Sequence, residues 1–105
     1  MKNKETQNGK NRKEHIKPLP ISGGSGISFE NAIIIKSNAG ENYDALEHLT
    51  IDLMGISMGI TMEVKGQFHT NQNGRSYDIH TVMTSLNDNT YETEIYFDVT
   101  DCINK

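Results

Sequence analysis

The segment "ISMGITMEVKGQFHTNQNGRSYDIHTVMTS", residues 56–85, determines the fold, because apolar and polar side chains alternate along it. The apolar side chains of its first half fall on even-numbered positions: Ile56, Met58, Ile60, Met62, Val64 and Phe68. A period of two is typical of a β-strand that buries one face. Asn73-Gly74 is the strongest short-range signal for a two-residue hairpin turn, since both residues accept a positive φ. The segment therefore predicts two antiparallel strands.

The two-residue turn also predicts which residues lie opposite one another, because Gln72 must then face Arg75. The pairs expected on the apolar face are Thr70–Tyr77, Phe68–Ile79, Gly66–Thr81 and Val64–Met83. The pairs expected on the other face are His69–Asp78, Gln67–His80, Lys65–Val82 and Glu63–Thr84. We expect the first face to pack against the core.

The segment "YETEIYFDVT", residues 91–100, alternates in the same way and predicts the last strand. Keeping the apolar sides together requires Met83 to face Ile95, which in turn requires a three-residue loop at positions 88–90. The same register gives the other expected neighbours: Thr81–Phe97, Val82–Tyr96 and His80–Asp98.

Residues 38–55, "NAGENYDALEHLTIDLMG", predict the only helix, because their apolar residues recur every three to four positions. The expected core-facing stripe consists of Tyr43, Leu46, Leu49, Leu53 and Met54, with Gly55 ending the helix. The β-branched segment "ENAIIIKS", residues 30–37, predicts the first strand. The fold class expected from this order is α+β, a small single-helix β-α-β-β-β domain. Its helix packs on one face of a mainly antiparallel four-stranded sheet, and the other face is open.

A length of 105 residues and an apolar content of 34% favour one domain with a small core. We expect residues 1–17 to form a disordered basic tail, because polar segments bury too little apolar surface to offset the ordering entropy. Residues 18–105 then form the domain. The single cysteine, Cys102, cannot form an internal disulfide, which favours a reducing compartment, and we expect a cytoplasmic location.

The charge is distributed unevenly along the chain. Residues 1–17 carry six basic and two acidic side chains, a net charge of +4, so the remaining residues carry −8 of the chain's total of −4. An acidic domain repels phosphates, which makes nucleic acid an unlikely ligand for it. An acidic domain suits a basic protein partner, and inhibitors and immunity proteins of nucleases have this acidic character.

Four side chains are candidates for a metal site on the open face, namely His69, Asp78, His80 and Asp98. Imidazole and carboxylate groups are ligands for zinc, iron and manganese, and a His-Asp pair can also serve as a general base. The alternative is an ordinary solvated face with cross-strand His-Asp pairs, which the flatness of a sheet favours. On that alternative the protein has no cofactor.

The same face offers candidate partner-binding residues. Val82 and Tyr96 are expected to touch, flanked by Lys65, Glu94 and Ile34, and an aromatic residue beside aliphatic ones within a charged rim is typical of a protein interface. Stacking two such faces would give a homodimer.

Catalytic motifs with the required spacing are absent from the sequence. Gly23, Gly24 and Gly26 invite a phosphate-loop interpretation, but a strand follows them where a phosphate loop would open a helix. The hypothesis favoured by the sequence is a non-enzymatic protein-interaction module, with a metal-binding protein or metal-dependent enzyme as the alternative.

Overall fold

A computed structural model describes residues 20–103 of the chain. The strands are β1 (Ile21–Gly23), β2 (Ile33–Ile35), β3 (Thr61–Gln72), β4 (Arg75–Leu86) and β5 (Asn89–Asp98). The helices are a 3₁₀ segment (Ser37–Asn42), α1 (Tyr43–Met58) and a short α2 (Thr100–Ile103). Within the described range no helix is long and apolar enough to cross a membrane.

The sheet order is β1-β2-β5-β4-β3, and every neighbouring pair is antiparallel except β2 and β5. This confirms the predicted α+β class with one main helix on a mostly antiparallel sheet. The sheet has five strands where four were expected, because the chain at Ile21–Gly23 pairs with β2 and adds an edge strand. The predicted tail, residues 1–17, lies outside the described residues.

Helix α1 ends about one turn later than predicted. Gly59 adopts the left-handed conformation (φ 70°) and its N–H donates to the carbonyls of Gly55 and Ile56, which caps the helix. Gly55 is instead a buried helical residue, where a Cβ atom would lie 2.9 Å from the carbonyl oxygen of Ile60. Gly55 therefore permits close packing of the chain rather than ending the helix.

The hairpin of β3 and β4 follows the predicted register near its turn. Asn73 and Gly74 both have positive φ, and every predicted pair from Gln72–Arg75 to Gly66–Thr81 is present. A β-bulge at Lys65 then shifts the register by one residue, so that Val64 faces Val82 instead of Met83. The predicted pairs beyond Gly66 are therefore wrong, and the bulge brings Val64 to the same face as His69.

The register between β4 and β5 also differs from the prediction. The loop contains two residues, because Asn87 adopts a positive φ (56°) and Leu86 pairs directly with Asn89. His80 therefore faces Ile95, and none of the predicted β4–β5 pairs forms.

Burial shows which face of the sheet the helix covers. The main core joins Ile51 of α1 to Val82, Ile95 and Phe97 of the sheet, all of them less than 4% exposed. This helix-side face is the one that carries His80, so the expectation that Phe68 and Ile79 would pack under the helix is wrong. The register of β4 and β5 differs from the predicted one by three residues, and because this number is odd, Ile95 and Phe97 lie on the face of His80 instead of the face of Ile79.

The opposite face carries a second, smaller cluster of Ala32, Tyr77 and Ile79. Phe29, from the loop before β2, packs edge-to-face on Tyr77 and on Tyr96 with ring centroids 4.9 Å apart in each case. The loop thus covers one part of the opposite face, and the part beside β3, where Phe68 is 48% exposed, remains open.

Candidate functional site

The four predicted metal ligands do not converge. His69, Asp78 and His80 share the helix-side face, and Nδ1 of His69 lies 2.7 Å from Oδ1 of Asp78. Asp98 lies on the opposite face, because it pairs with Tyr77. Within residues 20–103 no group of three or more His, Cys, Asp or Glu side chains is arranged to hold a metal ion.

Asp98 has a structural role at the end of the sheet. Nε of Arg75 donates to its Oδ2 at 2.5 Å, and the N–H and hydroxyl of Thr100 donate to its Oδ1. Burial alone would raise the pKa of Asp98, but these hydrogen bonds outweigh burial and lower the pKa. The ionised carboxylate therefore joins β4 to the start of α2.

His80 instead pairs with a residue that the sequence analysis did not single out. Its Nε2 lies 2.6 Å from Oε1 of Glu47 on α1, and both side chains are fully buried. Its ring also meets His48 and Phe97 edge-to-face, with centroids 5.0 and 5.4 Å apart. A carboxyl and an imidazole thus lie at the centre of the helix–sheet interface.

The environment keeps this pair neutral. Burial raises the pKa of Glu47 to about 10, and the neighbouring Asp78 carboxyl acts in the same direction. Burial lowers the pKa of His80, and the proximity of His48 adds to the effect. Among the described residues, Oε2 of Glu47 and Nδ1 of His80 have no hydrogen-bond partner. Neither residue lines the two cavities described below. We interpret the pair as part of the helix–sheet packing, one that makes stability sensitive to pH.

The predicted partner-binding residues are also separated. Val82 is fully buried beneath α1, whereas Tyr96 lies on the opposite face, so the two do not touch. The hydroxyl of Tyr96 donates to Glu94 at 3.0 Å. Ile34 is half-buried on the Tyr96 face.

Lys65 lies in the bulge of β3, apart from the other four residues. Its ammonium is 3.3 Å from the carboxylate of Glu63, and both side chains are exposed.

The most unusual surface is the outer side of α1. The helix buries Glu47, Thr50, Ile51 and Gly55. Three of its exposed large apolar residues lie at spacings of four and three, and we call them the helix stripe: Leu49 (44% exposed), Leu53 (43%) and Ile56 (75%). Leu49 and Leu53 were expected in the core. Apolar residues occur nearly all round this helix, so their periodicity alone could not show which side faces the sheet.

A groove lies between the end of α1 and the sheet. One cavity of about 360 Å³ is lined by residues 21–25, Ile33, Thr50 and Met54. A second of about 190 Å³ also reaches Met54, and its other lining residues are Ile27, Met58, Ile60, Met62, Thr84, Tyr91, Thr93 and Ile95. The two cavities share Met54, and we refer to them together as the methionine groove.

The glycine loop beside this groove is not arranged for phosphate. The N–H of Gly24 donates to the carbonyl of Ala32 at 3.1 Å, and that of Gly26 to the carbonyl of Asn31 at 2.6 Å. These amides are thus used within the loop, whereas a phosphate site needs them to point at the ligand.

Comparisons of the chain with models of protein families, with curated proteins and with solved structures give no match.

Proposed function

We propose that this protein is a non-enzymatic interaction module that binds a protein partner through the helix stripe and the methionine groove. The observation that carries the proposal is the orientation of α1, which buries a carboxyl and turns Leu49, Leu53 and Ile56 outward. Apolar residues of a helix are normally grouped on its covered side, whereas α1 has an apolar row outside the side that the sheet covers. Single exposed leucines are common, but apolar residues grouped on one surface are typical of interaction sites.

The helix stripe and the methionine groove both involve α1, the stripe through its outer side and the groove through Met54 and Met58 near its end. Ile27 (67% exposed), Met58 (55%) and Tyr91 (54%) line the second cavity and are themselves open to solvent. Methionine side chains are flexible and polarisable, so a groove lined by them adapts to the shape of an apolar segment. A binding role is supported further by the placement of the Glu47–His80 pair, which has no contact with either cavity.

The open part of the opposite face is a second candidate surface. Phe68 is 48% exposed there, and Tyr96 and Glu94 lie on the same face. Pairing of two copies through this face would give the homodimer considered from the sequence. This surface is the weaker candidate, because the Phe29 loop already covers the aromatic cluster.

The test uses the full chain as bait in its source organism, with bound proteins identified by mass spectrometry. Two matched variants, Ile56→Lys and Phe68→Lys, each place a lysine at an exposed apolar position, on α1 and on β3. The proposal predicts that Ile56→Lys releases the partner and Phe68→Lys retains it. The reverse pattern would assign binding to the opposite face, and retention by both variants would overturn the proposal.

A further inference from the structure

The helix stripe has the geometry of a helix-packing surface. Leu46, Leu49, Leu53 and Ile56 repeat at intervals of three, four and three residues, which is the spacing of a seam that another helix can occupy. Leu46 packs against the main core, whereas the other three residues are exposed. A row of side chains at these intervals forms a ridge that fits the groove of a second helix.

The charge around this surface favours a cationic partner. The described range contains twelve acidic residues against three basic ones, Lys36, Lys65 and Arg75. Lys65 pairs with Glu63, and Arg75 pairs with Asp98. Residues 20–103 therefore present a negative field, which attracts a positively charged partner and repels the same residues of a second copy.

Two local features of α1 also favour a positively charged partner. Asp52 is exposed beside Leu53 on the outer side of α1. The last turn of α1 contains no basic residue, so the negative end of the helix dipole is not neutralised by its own side chains. That end of the helix lies at Met58, which lines the methionine groove.

We propose, building on the function proposed above, that the partner binds as an amphipathic helix with an apolar face and lysine or arginine residues along its flanks. The apolar face packs on the helix stripe and enters the methionine groove. The basic flanks meet Asp52 and the carboxyl end of α1. Flexible methionines combined with an acidic surface suit this class of ligand, in which an amphipathic helix lies in an apolar groove.

The test uses synthetic peptides with a fluorescent label and the full-length protein. The probe is an 18-residue helix-forming peptide with leucines at heptad spacing and lysines elsewhere. One control replaces every lysine with glutamate, and a second has the same composition as the probe in scrambled order. Fluorescence anisotropy gives the Kd of each peptide at about 0.15 M salt and over a salt series.

We expect the lysine peptide to bind at least about tenfold more tightly than either control, with affinity that falls as salt rises. Ile56→Lys should weaken its binding by about tenfold, and Phe68→Lys should leave it unchanged. Equal binding of the scrambled peptide, or of the glutamate peptide, would overturn the inference.

The two proposals fail in different ways. If Ile56→Lys releases the captured partner but the lysine peptide does not bind, the interaction surface stands and the basic helix is wrong. If light scattering shows a dimer that Ile56→Lys dissociates, the occupant of the helix stripe is a second copy, which also overturns the basic helix.

Discussion

Replacement of Glu47 by glutamine should change how the stability of this protein depends on pH. Because the pKa of Glu47 is raised in the folded protein from 4.5 to about 10, its contribution to stability is complete below about pH 4.5. The contribution is lost progressively as the pH rises toward 10. His80 acts with the opposite sign: its pKa is lowered from 6.5, so its contribution is present above pH 6.5 and is lost as the pH falls below that value.

The two effects together define where stability is lost. Between about pH 4.5 and 6.5 they oppose each other, and above pH 6.5 only the loss from Glu47 remains. A difference of one bound proton between the folded and unfolded states changes the free energy of unfolding by at most ~1.4 kcal/mol per pH unit. The loss from Glu47 between pH 6.5 and 9 therefore amounts to about 3 kcal/mol. That is a large fraction of the ~5–15 kcal/mol that stabilises a typical domain.

The measurement is the free energy of unfolding from urea titrations followed by circular dichroism, at several values between about pH 5 and 9. Glu47→Gln retains a hydrogen-bonding group for His80 but cannot ionise, so the free energy of unfolding should no longer fall at alkaline pH. The matched control is Glu92→Gln, the same chemical change at an exposed position on β5, which should keep the wild-type slope. Equal slopes for wild type and Glu47→Gln would show that Glu47 is not the group responsible for the loss of stability.

Two further pairs of variants test the packing. Gly55→Ala should cost ~1–3 kcal/mol in the free energy of unfolding, because its Cβ would meet the carbonyl oxygen of Ile60, whereas Gly66→Ala, with no atom within 4 Å, should change it by less than ~0.5 kcal/mol. Val82→Asp should cost at least ~3 kcal/mol or prevent folding, because it buries an unpaired charge under α1. Thr81→Asp, one residue away on the opposite face, should cost only ~1 kcal/mol, and similar losses for the two would contradict the assignment of faces.

The order of β2, α1 and the three long strands and the position of the hairpin turn could be predicted because their signals are local, whereas the edge strand β1 and the short helix α2 were missed. Asn73-Gly74 specifies a turn whose geometry determines the pairing for the next seven residues of each strand. The bulge at Lys65 left a weaker signal, a glycine at position 66 inside an otherwise alternating strand. A bulge at that position moves Val64 and Met62 to the face of His69. The even-numbered apolar residues before the bulge therefore lie on the helix side together with His80.

The assignment of faces could not be predicted, because it depends on tertiary contacts. Asn87-Asp88 permits a two-residue turn as readily as residues 88–90 permit a three-residue loop, and the choice between them exchanges the faces of β5. The three-residue loop was chosen to bring apolar sides together, but the structure places apolar side chains on both faces.

Uncertainty about which side of α1 faces the sheet also explains why the Glu47–His80 pair was not predicted. Glu47 lies between Leu46 and Leu49 in a helix whose apolar residues extend nearly all round, so a charged residue there is expected to face water. It is buried because the neutral carboxyl meets His80 across the interface. The sequence did contain one signal, because apolar residues on more than one side of a helix indicate that some of them do not pack in the core.

Binding through the helix stripe requires that α1 keeps Leu49, Leu53 and Ile56 outside the core. Hydroxyl-radical footprinting of the wild-type chain, read by mass spectrometry, tests it directly, since Ile51 in the same helix is fully buried and serves as the internal reference. We predict strong labelling of Leu53 and Ile56, with protection of Ile51. Protection of Leu49 and Leu53 equal to that of Ile51 would contradict the account.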